Sequence, residues 1–131
     1  MSSEVTPAML AFVRERHLAT LTTLRKDGSP HVVPVGFSYD DSAHVVRVIT
    51  FFPSQKAINA QRGCRAAVSQ VDGGRWITFE GTARLVTMDS DPDEVRRAVE
   101  GYAQRYREPK TRENRVAIII DVDNVMGRVA D

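Results

Sequence analysis

The chain has a single cysteine, Cys64. No disulfide can close within it, and the residues around Cys64 lack the spacing of a zinc motif. Such cysteine usage fits a reducing compartment, so a cytoplasmic setting is expected. Long apolar runs are missing too: none approaches the roughly 18 residues that cross a bilayer as a helix. The first ten residues include Glu4 and no apolar stretch of leader length, which argues against secretion and against a membrane partner. The net charge is only +1, which argues against a dedicated nucleic-acid binder. His17, His31 and His44 lack ligand spacing, so no metal site is expected. No pair of carboxylates is placed for acid–base work, and no catalytic residue is assigned.

The most telling absence is local. From Ser42 to Val71 there is no Asp or Glu, although Arg47, Lys56, Arg62 and Arg65 fall there. Within this stretch, "ITFFPSQKAINAQ" (49–61) reads as a strand that stops and a short helix that starts. Lys56 falls in the first helical turn, where free backbone N–H groups already carry partial positive charge. A cation is ill placed there unless an anion is to be bound. Ser54 adds a hydroxyl donor, and a phosphate suits the set.

What is present elsewhere describes one domain over residues 1–131, with 42% apolar and 27% charged residues, ordinary for a globular protein. "TPAMLAFVRERH" opens with a helix start, Thr6 as cap and Pro7 as first helical residue; Leu10, Val13 and His17 would share a face, with His17 a cation at the helix end. Six strands are expected over 18–24, 30–39, 44–52, 65–71, 75–87 and 115–122. Turns at Asp27-Gly28 and at "DGG" suit hairpins. Pro34 predicts an edge or an interrupted ladder. "HVVRVITFF" is apolar on both faces, which fits a strand covered on both sides. A helix follows "SDPDEV", capped by Ser90 or Asp91 and started by Pro92; Val95, Val99, Tyr102 and Tyr106 are expected to pack. Residues 108–114 read as a polar loop. The expected class is mainly β (α+β), a six-stranded antiparallel barrel with flanking helices.

The order of "LATLTTLRKDGSPHVVPVGF", "VRVITFFPSQKAINAQ" and "AAVSQVDGGRWITFEGTARLV" resembles the split β-barrel flavin-binding proteins related to pyridoxamine 5′-phosphate oxidase. The most specific element is Ser-x-Lys-x-x-x-Asn after a strand, here Ser54, Lys56 and Asn59. Within that superfamily, "ERHLATLTTLR", "SPHVV", "SQKA" and "SQVDGGRW" are similar to the branch that uses the deazaflavin coenzyme F420, and among these to the F420-dependent biliverdin reductases.

The resemblance implies a homodimer with cofactor contacts from Val33, Pro34, Val35, Thr50, Phe51, Ser54, Gln55, Lys56, Asn59, Arg75 and Trp76. Ser54 and Lys56 would hold the phosphate. The backbone of Val33, Pro34 and Val35 would run along the ring, with Thr50 and Phe51 lining it. Arg75 and Trp76 would close the site from the partner subunit. Some branch members carry arginine where Ser54 stands, so a second cation is expected from Arg47, Arg62 or Arg65. For the glutamate tail of F420, Arg62, Arg65, Lys110 and Arg112 are the candidates.

The implied reaction is hydride transfer from reduced F420 to a conjugated acceptor, biliverdin favoured. The terminal "VMGRVAD" lacks the Trp and Arg pair of the pyridoxamine-phosphate oxidases, so that activity is not expected. Two alternatives stay open on the residues: an FMN-binding oxidoreductase of the same fold, and a non-enzymatic F420 or tetrapyrrole binder.

Overall fold

The fold is that of a computed structural model describing residues 4–130. Three helices and seven strands run in the order α1 (Pro7–Arg14), β1 (Ala19–Leu24), β2 (Pro30–Val35), β3 (Ser38–Asp40), β4 (Val45–Phe51), α2 (Gln55–Arg62), β5 (Cys64–Asp72), β6 (Arg75–Val86), α3 (Pro92–Arg105) and β7 (Arg115–Arg128). One antiparallel sheet holds all strands in the order β2-β1-β5-β6-β7-β4-β3. Among the described residues, no helix is long and apolar enough to cross a membrane.

The expected strand at 30–39 is two strands, which makes seven rather than six. They lie at opposite ends of the sheet, β2 beside β1 and β3 beside β4. The break falls at Gly36 and Phe37. A Cβ at Gly36 would approach the Tyr106 ring to 2.9 Å and the Tyr102 ring to 3.0 Å, so a side chain there would have to displace the rings beneath which the chain passes. The barrel is therefore joined at its two edges by covalent chain rather than by a ladder. Edge strand β2 carries Pro34, as its missing N–H requires.

Inside lie Leu21, Phe37, Val46, Val48, Val68, Ile77, Phe79, Ile118 and Ile120. Outside, α3 covers a second cluster of Val45, Val86, Ala117 and Ile119 with its own Val95 and Ala98. Strands β4 and β7 are thus apolar on both faces, which accounts for the "VAIII" run. At Gly81 the register with β7 slips by one residue, leaving Asp123 as the extra residue of a β-bulge. An added methyl group there would overlap the Asp121 carbonyl.

Two arginines fix α3 to the barrel. Arg47 on β4 donates Nε to Glu94 at 2.9 Å and Nη1 to Asp40 at 2.8 Å, and it is buried. Arg105 at the end of α3 donates to the carbonyls of Glu15 (2.8 Å), Phe37 (2.7 Å) and His17 (3.3 Å), and to Gln70 Oε1. Its guanidinium lies 4.5 Å from the Phe37 ring centroid. Tyr106 adds an O–H bond to the His17 carbonyl at 2.7 Å and accepts the Phe37 N–H at 3.3 Å. Helix α1 ends at Arg14, so His17 lies beyond it and is not a helix-end cation. Its Nδ1 sits 2.8 Å from the Leu18 carbonyl. The N-caps are Thr6, Ser54 and Asp91, and Pro7 and Pro92 open their helices as expected.

Arg105→Ala is expected to lower unfolding free energy by about 3 kcal/mol or more, because several buried acceptors lose a charged donor at once. Arg105→Lys should recover little, since one ammonium cannot serve four separated acceptors. Urea unfolding of the three proteins checks this, and full recovery by Lys would contradict it. Arg47 holds Asp40 at about 2, against an ordinary 3.8. It also holds Glu94 below the usual carboxylate range. A depressed folded-state pKa contributes stability that is complete above the unfolded value and is lost as pH falls through the folded one. Stability should therefore drop between about pH 4 and pH 2, with Asp40 contributing about 2 kcal/mol. Asp40→Asn should be less stable at neutral pH and show a flatter acid limb, measured by melting temperature against pH.

Candidate functional site

The ladder between β3 and β4 stops at Ser38↔Arg47. Continued by register, it would set Gly36 opposite Ile49 and Pro34 opposite Phe51. Instead the two chains diverge and leave a groove of about 480 Å³ between them. One wall is Pro34, Val35 and Gly36, and the other is Ile49, Thr50 and Phe51. Lys56 closes one end, and Tyr102 and the loop from Arg107 to Arg115 close the rest.

At the Lys56 end, Ser54 caps α2 by accepting the Ala57 N–H at 3.3 Å, and its hydroxyl lies 3.0 Å from Thr50 Oγ1. The first intrahelical bond is Ile58 N–H to the Ser54 carbonyl, 3.0 Å. The N–H groups of Gln55 and Lys56 precede it and belong to the free first turn. No acid stands in that turn. Burial lowers the Lys56 pKa, and no ion pair with a described residue offsets it.

The structure brings Pro34, Val35, Thr50, Phe51 and Lys56 together on one groove. The other candidates lie apart from its lining. Val33 turns into the barrel core. Gln55 donates to Asn59 Oδ1 at 2.8 Å, and Asn59 donates to Thr23 Oγ1 at 2.9 Å with no exposure of its own. That pair ties α2 to β1. Arg75 is held by Glu15 at 2.7 Å and by Asp72, and it lies 4.5 Å over the Phe12 ring. Trp76 sits across β5 and β7 from Val71 and Arg128, away from this groove.

Two cations of the acid-free stretch meet acids from elsewhere in the chain. Arg47 is committed to Asp40 and Glu94, and Arg65 to Asp123 on the bulge (2.9 Å for the Nη2 bond). Arg62 donates to the Leu24 carbonyl. None of these three lines the groove. Of the four candidates for a cofactor tail, Lys110 and Arg112 reach the groove.

Several groove residues were not singled out from sequence: Gly36, Ile49, Tyr102, Arg107, Glu108 and Arg115. A signal existed for the loop, since residues 107–115 hold four cations against Glu108 and Glu113. The loop is held by Arg115, which donates to the Lys110 carbonyl, and by Asn114. The Asn114 carbonyl accepts the Phe52 N–H at 3.0 Å, and its side chain donates to the Phe52 carbonyl at 3.1 Å. Arg112 lies 5.0 Å over the Phe51 ring. The Arg115 pKa is lowered by burial and then by Arg112.

Among its lining residues the groove thus carries five cations and one carboxylate, Glu108. It offers no nucleophile–base pair and suits a flat, anionic ligand. His31 lies near its Lys56 end, with a buried Nδ1 that has no partner. Burial lowers its pKa, helped by Arg25 and Lys56. No cluster of three potential metal ligands occurs among the described residues.

A relative from Mycobacterium tuberculosis (strain CDC 1551 / Oshkosh), named F420H2-dependent biliverdin reductase, is 54% identical over 118 residues, which span 90% of this chain and 84% of the relative. Among solved structures, a conserved hypothetical protein of Mycobacterium tuberculosis superposes with a TM-score of 0.78 at 25% identity, covering 96% of this chain and 86% of that one. A structure titled F420 reductase gives 0.73 at 23% identity, covering 93% and 98%, and so shares the fold. The profile described as pyridoxamine 5′-phosphate oxidase matches residues 5–128, from the turn before α1 to the last residue of β7. With the whole barrel and all three helices inside that match, this chain belongs to the pyridoxamine 5′-phosphate oxidase family.

Proposed function

We propose that this chain binds coenzyme F420 in the groove between β2 and β4 and reduces biliverdin to bilirubin. What supports this most directly is Lys56, a partly buried cation without a carboxylate partner, in the first turn of a helix and facing the groove. A terminal phosphate fits that donor set. The similarity to F420H2-dependent biliverdin reductase points to the same cofactor and acceptor.

When bound, F420 supplies the hydride. The chain's residues bind and orient. Lys56 and the free amides of α2 would hold the phosphate, with Ser54 fixing the helix start. Edge strand β2 has no strand on its outer side, so the backbone groups that point there, the N–H and carbonyl of Val32 and the carbonyl of Pro34, are open to the polar edge of a planar ring. Thr50 and Phe51 form the facing wall. By confining cofactor and acceptor to one groove, these walls would lower the barrier by removing orientational freedom. Gln55 and Asn59 set the position of α2 on the barrel.

The site is proposed to be completed in a homodimer. Away from α3, the outer face of β2, β1, β5, the first half of β6 and the last residues of β7 exposes Val32, Val71 and Met126. Trp76 shares that face, from which it would reach a partner's groove. Arg75, already paired with Glu15, would serve by placing it. Sedimentation should give twice the 14.6 kDa chain mass. Val71→Asp, which places a charge on that face, should shift it toward the monomer.

Reduced F420 mixed with biliverdin and the protein should be reoxidised while biliverdin absorbance is lost. Absence of turnover would overturn the reading. Lys56→Ala should weaken F420 binding by about ten- to hundredfold, the equivalent of a charge-assisted bond of roughly 1.5–3 kcal/mol. The deficit should narrow at high salt. The melting temperature without ligand should hold or rise, because a cation leaves a helix N-terminus. Fluorescence titration at two ionic strengths and an apo melt check all three.

A further inference from the structure

The loop after α3 does more than close the groove. Its Glu108, Pro109, Lys110, Arg112 and Arg115 also line a second hollow of about 380 Å³ on the other side. That hollow has Met88, Val95 and Val99 in its wall. Apolar surface and unpaired cations therefore meet on one loop. Elsewhere Arg47, Arg65, Arg75, Arg84, Arg96 and Arg97 each pair with a carboxylate. Among the described residues Lys110, Arg112 and Arg115 have no such partner. The acids nearest them on the cavity walls are Glu108 and, in the second hollow, Glu100.

Arg112 has a particular geometry. It lies over the Phe51 ring, 5.0 Å from its centroid. An aromatic ring occupies one face of a guanidinium and leaves the N–H donors at its edge, the arrangement that binds a carboxylate in two-pronged fashion. Arg115 is spent on the Lys110 carbonyl and shapes the loop.

We propose that Lys110 and Arg112 recognise the carboxylates of the acceptor, so that this site selects a conjugated dicarboxylic tetrapyrrole over an uncharged one. The inference rests on the F420-dependent reading above and names the selectivity of that same site. A glutamate tail on the cofactor would present the same chemical group. The apolar hollow favours the acceptor: a tail of glutamates is polar along its length, whereas a tetrapyrrole acid joins flat apolar rings to two carboxylates.

The test is equilibrium binding to the protein saturated with oxidised F420, so that no turnover is needed. Biliverdin and its dimethyl ester are titrated by absorbance against wild type, Arg112→Lys and Lys110→Ala/Arg112→Ala. Wild type should bind the diacid about tenfold more tightly than the ester. The double variant should bind the two alike, and Arg112→Lys should fall between, because it keeps the charge and loses the fork. F420 affinity is measured in parallel for each protein, and every acceptor titration is run at saturating F420. Equal binding of diacid and ester by wild type, or no saturable binding of the diacid, overturns the inference. So does a tenfold loss of F420 affinity in the double variant that disappears with a tail-less deazaflavin, which would give these cations to the cofactor. Failure of hydride transfer itself is read separately, in the turnover assay.

Discussion

The guanidinium of Arg105 is the contact on which the rest of the molecule depends. A sheet whose two edges are joined only by Gly36 and Phe37 has no ladder to hold them together. Arg105 supplies the missing constraint from outside the sheet. It binds the carbonyl between the two edge strands, the two carbonyls that lead from α1 into β1, and the Gln70 side chain on β5. Gln70 in turn donates to the Phe12 carbonyl at 3.0 Å, which brings α1 into the same network. Burial lowers the Arg105 pKa, yet several acceptors around a planar fork keep the charged form favourable. Few side chains other than arginine could serve four acceptors in different directions.

The groove follows from that arrangement. The chain arrives from β2, beside β1, passes Phe37 where α3 is anchored, and pairs with β4 only over the three residues of β3. The separation opens between Pro34 and Phe51, and the chain beyond Arg105 returns as the loop that roofs it. The cations of that loop reach the groove because Asn114 and Arg115 tie its far end to β4 and to itself. Anchor and roof are thus consecutive in the chain, and the same helix end sets both.

Charge divides the arginines and lysines into two groups. Arg47, Arg65 and Arg75 are paired, and Arg47 is buried with both its acids. Breaking such a buried pair is costly because it strands a charge. Lys56, Lys110 and Arg112 are unpaired and face cavities, with Arg115 between them bonded only to the loop backbone. Here Arg115 feels the like charge of Arg112, and Lys56 is disfavoured by its own burial, so the empty state gains nothing from these cations. That is the electrostatic condition of a site that gains from an anion.

Much of this was legible along the chain. Capping residues and prolines marked the helix starts, because their effect is local: Thr6, Ser54 and Asp91 bond amides three residues ahead. Pro34 marked an edge because a missing donor cannot be hidden in a ladder. Lys56 stood out because a cation at an acid-free helix start is anomalous within a dozen residues. The distant partners of Arg47, Arg65 and Arg75 were not legible. They come from Glu94, Asp123 and Glu15, which are 47, 58 and 60 residues away in sequence, and only folding brings them near. The split of 30–39 into two strands was hidden for the same reason. Its cause is the tyrosines of α3 over Gly36, a contact that exists only once the barrel has closed beneath the helix. Local chemistry determined the elements and one end of the groove. Which cations remain free, and where the sheet parts, was decided by long-range packing, because charge neutralisation and steric exclusion depend on distance in space and not along the chain.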